Sequence, residues 1–314
     1  MMPRRNSLPV KCAKVKNRNK EFSLMAMTVS SCHIYPLKSG AGQPVPALEL
    51  LPRGPQGDRE WMLVDAEGVF ITQRMRGCEK LALVSTEQMA EGTVFSVADK
   101  EPLSVSMPDR EIAVKIWKDD VTALDAGDAA AAWFSDYLEL PCRLVRLSES
   151  PAHKRMLGKK WQMEDGHVSF ADGFPLLVTG EASLAALQPH FPDGEEIAMT
   201  RFRPNIVLAE AAAFEEDVLY RIKIGDVVLR LMKPCTRCKI TTITQETGAA
   251  ASNEPLKTMT KLRRGKSDDL AGVFFGQNAV IEQSGMIRAG DAVEVLERRD
   301  MHPALEVAEL KFTG

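Results

Sequence analysis

Histidine is scarce and scattered in this chain. Its five copies (His33, His153, His167, His190 and His302) are spread over 314 residues. No imidazole-based zinc cluster is visible, and a structural zinc site would need two ligand pairs where the sequence offers one pair of cysteines. No run of about 18 apolar residues exists, so no membrane-spanning helix is expected. The phosphate-binding Walker loop is missing. Gly40-Ala41-Gly42 does not continue as a dinucleotide fingerprint, because Val45 stands where the last glycine belongs. The net charge of −3 is too small for nucleic-acid binding by electrostatics.

What is present reads as a globular protein. Hydrophobic residues make up 45% and charged residues 26%, ordinary for a soluble chain long enough for two domains. The charge is uneven: residues 1–27 carry seven basic side chains and one acid, Glu21, so the remainder carries −9. This basic leader lacks an apolar signal-peptide core. It is expected to be disordered, with Met25 or Met27 as the true start, or a mitochondrial presequence as the alternative. Six dispersed cysteines (Cys12, Cys32, Cys78, Cys142, Cys235, Cys238) do not make a secreted disulfide scaffold, and a reducing, cytoplasmic setting is expected.

Folding is expected to begin near Thr28, with a strand from Val29 to Pro36 and a Gly/Pro-rich connection from Leu37 to Pro46. Trp61–Asp65 and Val69–Ile71 flank a turn at Gly68 and predict a hairpin. Phe95, Val97, Leu103 and Val105, then Ile112, Val114 and Ile116, alternate as strands with one buried face. A helix is predicted through alanines 129–132, Trp133, Phe134, Tyr137 and Leu138, capped by Asp125 or Asp128. Leu144–Leu147 returns to strand, 149–172 reads as a long polar loop, and Pro175–Val178 is a short strand. A second helix is expected from Thr179 through Leu187. Ile222–Ile224 and Val227–Leu231 form a strand pair about Gly225-Asp226, and Val293 and Val295 belong to a final strand. Many short strands with two or three helices predict barrel-like β architecture rather than a doubly wound sheet.

The run Pro234-Cys235-Thr236-Arg237-Cys238-Lys239 is the most informative feature, with a strand before it and a threonine-rich strand predicted after it. Its cysteines lie three positions apart. A thiolate is a soft ligand for a thiophilic metal, and a guanidinium beside a sulfur favours the anion. Three readings of the pair stay open on these residues alone: two buried small hydrophobes, a redox dithiol, or a thiolate given to a metal or cofactor.

With Thr247-Gly248 after it, the Cys-Thr-Arg-Cys run resembles the signature of the MOSC family, named after the C-terminal part of molybdenum cofactor sulfurase. Tyr35-Pro36-Leu37-Lys38-Ser39, Gly57-Asp58-Arg59, Phe202-Arg203-Pro204-Asn205-Ile206-Val207 and Phe275-Gly276-Gln277 match in the expected order. Together, from about residue 29 to 297, they resemble the amidoxime-reducing branch. The resemblance implies a mainly β fold with some α: a MOSC N-terminal β-barrel-like domain at 28–148, a MOSC-type β-barrel domain at 149–297 and a tail at 298–314.

It also implies site residues. Cys238 matches the cysteine that coordinates molybdenum, and Thr236 and Arg237 match residues lining the cofactor beside it. Lys38, Ser39, Arg59, Arg203 and Asn205 match positions that hold the pterin and its phosphate, with Asn278 at the same cofactor. Arginine offers a planar fork to a phosphate dianion and lysine a compact charge. Two departures affect the pocket: Gly173-Phe174 replaces small hydroxyl residues, and Asn278 replaces an aromatic. Cys235 is assigned packing or support of the ligand. The implied cofactor is the molybdenum cofactor, and the implied activity is reduction of small N-hydroxylated substrates. No cysteine follows Cys238 to hold an iron–sulfur cluster, so a separate ferredoxin or flavoprotein is expected as electron donor. At the level of the whole family, the resemblance also implies pyridoxal phosphate binding. The alternative is a non-catalytic carrier of the cofactor, or of sulfur as a persulfide on Cys238.

Overall fold

The computed structural model describes residues 26–161, 166–250 and 252–309. The expected basic leader therefore lies outside the described residues up to residue 25. The architecture is mainly β with a few short helices, as the strand-rich pattern predicts.

The largest element is a nine-stranded sheet. Its order runs Gln43–Val45, Thr28–Ile34, Ile206–Ala209, Leu176–Gly180, Ala271–Gln283, Val227–Thr236, Leu219–Ile224 and Val293–Arg298, with Arg264–Lys266 paired to Ala271–Gln283. A bridge between Thr28 and Ala292, with Val29 N donating to Asp291 O at 2.9 Å, joins early and late strands and closes the sheet into a barrel. Closure leaves few free edges to template other chains. Alternate residues such as Val178, Leu208, Ile222, Leu229 and Leu231 fill its interior, each worth roughly 1.5–3 kcal/mol on burial. Thr28–Ile34, the first strand of the expected N-terminal domain, is hydrogen-bonded into this large sheet, so the two expected domains share a strand.

The N-terminal part adds a four-stranded sheet (Trp61–Val64, Arg143–Leu147, Asp119–Asp125, Arg110–Ile116) and a three-stranded meander (Ser85–Met89, Gly92–Val97, Lys100–Ser106). The helix Asp128–Leu138 presents Ala130, Phe134 and Leu138, one turn apart, to this core. Phe95 links the layers, with its ring 5.4 Å from both Trp61 and Phe134.

Several sequence expectations change in detail. The helix is capped by Gly127, with no side-chain cap bond. Asp125 turns inward to Arg143. The arm Val69–Ile71 pairs with Trp61–Val64 through a Val64–Phe70 bridge and two flanking hydrogen bonds, and its other edge bridges Lys115. The long loop 149–172 contains a short strand pair, Arg155–Met156 with His167–Val168. The second helix begins at Glu181, because the strand before it continues through Gly180 in register with Leu208. Lys239–Thr242 is a 3-10 turn, not a strand. The hydroxyls of Thr241 and Thr242 donate back to the carbonyls of Cys238 and Lys239, which favours the turn over a sheet ladder. The expected tail carries a helix, Pro303–Glu309. It docks so closely that a Cβ on Gly265 would lie 1.5 Å from Ala304 O.

Candidate active site

The cysteine run leaves the barrel where its strand can no longer hold register. Val227–Thr236 slips against Ala271–Gln283 between Leu231 and Lys233 and again between Pro234 and Thr236. Proline has no N–H for the ladder, and such bulges re-aim side chains. Arg237 N recovers one bond, to Val273 O at 2.7 Å. Cys238 then opens the 3-10 turn in an extended conformation.

Facing this run is a cleft between the barrel and the N-terminal sheets. Its empty space, open mouth included, is about 830 Å3. All nine residues singled out in the sequence line it. Lys38, Ser39 and Arg59 come from the N-terminal third, and Arg203 and Asn205 from the segment before Ile206. Thr236, Arg237 and Cys238 come from the cysteine run, and Asn278 from the central strand. The lining holds five cations (Lys38, Arg59, Arg74, Arg203, Arg237) and one carboxylate, Asp172, a balance that suits an anionic ligand.

Two of these cations share an aromatic support. The guanidiniums of Arg59 and Arg203 lie 4.3 and 4.2 Å from the ring centroid of Tyr35, a cation–π geometry. Burial pushes the Tyr35 phenol up to about 12, and it donates to Pro204 O at 3.0 Å. Asp58 is buried beneath, accepting from Tyr35 N at 2.8 Å and from Arg59. Burial, with Arg59 close by, pulls Arg203 down to about 10, so it remains a cation at neutral pH. Arg203 donates to Gly40 O at 2.7 Å and to Gln245 Oε1 at 3.1 Å. Its Nη2 is buried with no partner. Such an orphan donor costs about 1–3 kcal/mol, which an anion in the cleft would offset.

Lys38 is buried, donating to Phe170 O at 2.7 Å and to Asp172 Oδ1 at 2.6 Å. Burial lowers its pKa, and Asp172 opposes the shift. Asp172 has a side chain 57% exposed at the mouth. Partial desolvation in the cleft works to raise it, but the Lys38 ammonium wins and holds the carboxyl well below the usual range. Three of the eight described non-glycine residues with positive φ, Ser39, Arg59 and Arg203, line this one cleft. Backbone strain of this kind gathers at ligand sites.

Other residues sit differently from the sequence expectation. Arg237 donates to Cys235 Sγ at 3.0 Å and to Phe202 O at 2.7 Å, so its guanidinium serves the first cysteine. The Asn205 amide is engaged by protein: its oxygen accepts from Leu177 N and Arg59, and its nitrogen donates to His33 O and Asp58. Its polar atoms brace the cleft wall. Gln277 of the Phe-Gly-Gln run is fully buried, bonded to Asp217 at 2.6 Å and to Arg299 at 2.8 Å. Thr72, Arg74, Asp172, Phe202 and Ile240 also line the cleft. Sequence reasoning missed them: Phe202 opens a matched run but is given no role there, the others belong to no spaced motif, and Asp172 sits in what reads as a polar loop.

Residues 165–294 match the MOSC domain and residues 26–141 match the MOSC N-terminal beta barrel domain. Mitochondrial amidoxime-reducing component 1 of Mus musculus is 31% identical over 284 residues, which is 86% of this chain and 82% of that protein. The chain belongs to the MOSC family. The human component 1 is 30% identical, covering 89% of this MOSC chain and 86% of the relative. The rat component 2 is 31% identical over 85% and 82%. A superposition on the crystal structure of YuaD from Bacillus subtilis covers 86% of this chain at 11% identity and a TM-score of 0.37, too loose to add to the sequence matches. The cleft draws on both matched regions: Lys38 and Arg59 fall in the first, Arg203 and Cys238 in the second.

Proposed function

We propose that this protein is a molybdenum-cofactor-dependent reductase of N-hydroxylated compounds. The observation that carries the reading is the convergence of Cys238 with Lys38, Arg59 and Arg203 on one cleft, together with the orphaned Arg203 Nη2. A soft sulfur at one end and a cationic cradle at the other fit a metal held by an anionic organic group. The names of the relatives, amidoxime-reducing components, point to the same chemistry.

In this reading Cys238 supplies the metal's protein ligand. Arg59 and Arg203, fixed by Tyr35 and Asp58, hold the pterin phosphate as a preformed pair, and the buried Lys38 adds charge to the same cleft wall. Ser39, Thr236 and Asn278 offer hydroxyl and amide contacts, while Arg237 orients the Cys235 side of the run. When bound, the cofactor supplies the two-electron chemistry that removes oxygen from an amidoxime or hydroxylamine. In the same reading the electrons come from a separate donor, a ferredoxin or flavoprotein. Among the described residues no helix is long and apolar enough to cross a membrane.

The test is purification from a host that makes molybdenum cofactor, followed by elemental analysis and an assay of benzamidoxime reduction with an artificial electron source. Near-stoichiometric molybdenum and turnover, both lost in Cys238→Ala, support the reading. Persulfide on Cys238 without molybdenum would replace it with sulfur carriage.

A further inference from the structure

A second cleft opens onto the first. Its empty space, open mouth included, is about 1540 Å3, and Asp172, Gly173, Phe174, Cys235, Thr236 and Asn278 line both. Cys238 lines only the inner one. A compound approaching the inner cleft from this side passes the outer cleft first. At this junction stand the two departures from the family pattern, Gly173-Phe174 and Asn278, so this chain's own side chains shape the passage.

The outer walls are aromatic. Trp117 is 47% exposed and held at φ 57°, a left-handed conformation that a bulky residue rarely adopts. Its position is fixed by two groups from the inner cleft: its indole N–H donates to Asp172 Oδ1 at 3.3 Å, and Arg74 stacks 4.3 Å from its ring. Trp161 and Phe174, which line the same cleft, pack with ring centroids 5.8 Å apart. Lys233 brings its ammonium 5.6 Å from Trp161 and 5.4 Å from Phe174.

The cations here are not equivalent. Arg155 is committed to protein, bonded to Asp119 at 2.9 Å and to the carbonyls of Ala171 and Asp172. Lys118 is exposed at the rim. Lys233 is half-buried, and burial lowers its pKa. The carboxylate that acts on it, Asp269, is already bonded to Lys160 at 2.5 Å. An ammonium set over a pair of packed rings, with its neighbouring carboxylate engaged elsewhere, has capacity for an incoming anion.

The geometry points to a substrate with a planar aromatic body and an anionic substituent, its ring against Trp161 and Phe174 and its charge at Lys233. This deepens the proposed function and rests on it, since the N-hydroxy group must then reach the inner cleft. Lys233 is the specificity-determining residue and Trp161 the docking platform.

The test compares benzamidoxime with 4-carboxybenzamidoxime on the cofactor-loaded full chain, by calorimetric binding and by steady-state reduction. The carboxylated compound should bind about tenfold more tightly, the gain expected of one charge-assisted hydrogen bond. In Lys233→Gln the two compounds should bind alike, and Trp161→Ala should weaken both. Equal binding of the two by the unaltered protein, or a preference that survives Lys233→Gln, overturns the inference. No effect of Trp161→Ala overturns its aromatic part. If both compounds are reduced without preference, the substrate assignment fails and the reductase reading stands. If neither is reduced but the Lys233-dependent preference persists, the reductase reading fails and the cleft assignment stands.

Discussion

The guanidinium of Arg237 donates to the Cys235 sulfur across 3.0 Å, although Cys238 is its immediate neighbour in sequence. The two cysteines therefore divide their roles: one is tied to protein, and the other is offered to the inner cleft. Cys235→Ser should lower molybdenum affinity by no more than about tenfold, the low end for residues that support a ligand. Cys238→Ser should remove most of the metal. Elemental analysis of both variants, purified alongside the unaltered protein, checks the asymmetry, and equal losses would contradict it.

The Arg203 site should bind a simple anion without the cofactor. In cofactor-free protein, inorganic phosphate at about ten times its Kd should stabilise the fold by roughly 1.4 kcal/mol. That raises Tm by a few degrees in a chain of this length. Arg203→Met should show no such rise, because Nη2 is the buried donor left without a partner. Thermal melts at matched ionic strength, with chloride as control, read the difference.

Gly276→Ala should destabilise the protein by at least about 2 kcal/mol. Its φ is 73°, and an added Cβ would sit 2.7 Å from Thr179 Cγ2 and 2.8 Å from Val178 O. Urea unfolding measures this directly. A loss below about 0.5 kcal/mol, the scale of a neutral surface change, would show that the strand pair yields easily.

Stability should fall as pH rises toward 8, in part through Glu216. This buried carboxyl accepts from Ser183 Oγ at 2.7 Å and Gly180 N at 3.2 Å. Burial, with the adjoining Asp217 carboxylate, pushes it up to about 7. A carboxyl raised in the folded state binds its proton more tightly there than in the unfolded chain. Its contribution is complete below the ordinary carboxylate range and is lost as pH rises through about 7. The slope approaches about 1.4 kcal/mol per pH unit between these limits. Glu216→Gln should flatten the profile in denaturant titrations from pH 5 to 8.

Much of the cleft's lining was legible because its polar residues are concentrated in short runs: Lys38-Ser39, Asp58-Arg59, Arg203 to Asn205 and Thr236 to Cys238. Alternating strands such as Arg110–Ile116 were legible through their period of two. What the sequence concealed is long-range or local in ways that pattern does not encode. The Lys38–Asp172 pair spans 134 positions, and Trp117 reaches Asp172 from a hairpin 55 positions away. The threonines after Cys238 favour strand by propensity, yet their hydroxyls bond back to local carbonyls and make a turn. Arg237 sits beside Cys238 in the chain, but its side chain extends toward Cys235.

The bridge from Thr28 to Ala292 has a consequence for biosynthesis. A ribosome releases the chain from its N-terminal end, so the strand at 28–34 must wait for its distant neighbour to be translated. Until then the barrel has a gap, and the wall that carries Cys238 is incomplete. Capture of a prosthetic group should therefore follow translation rather than accompany it, with the nascent protein emerging empty and being filled afterwards.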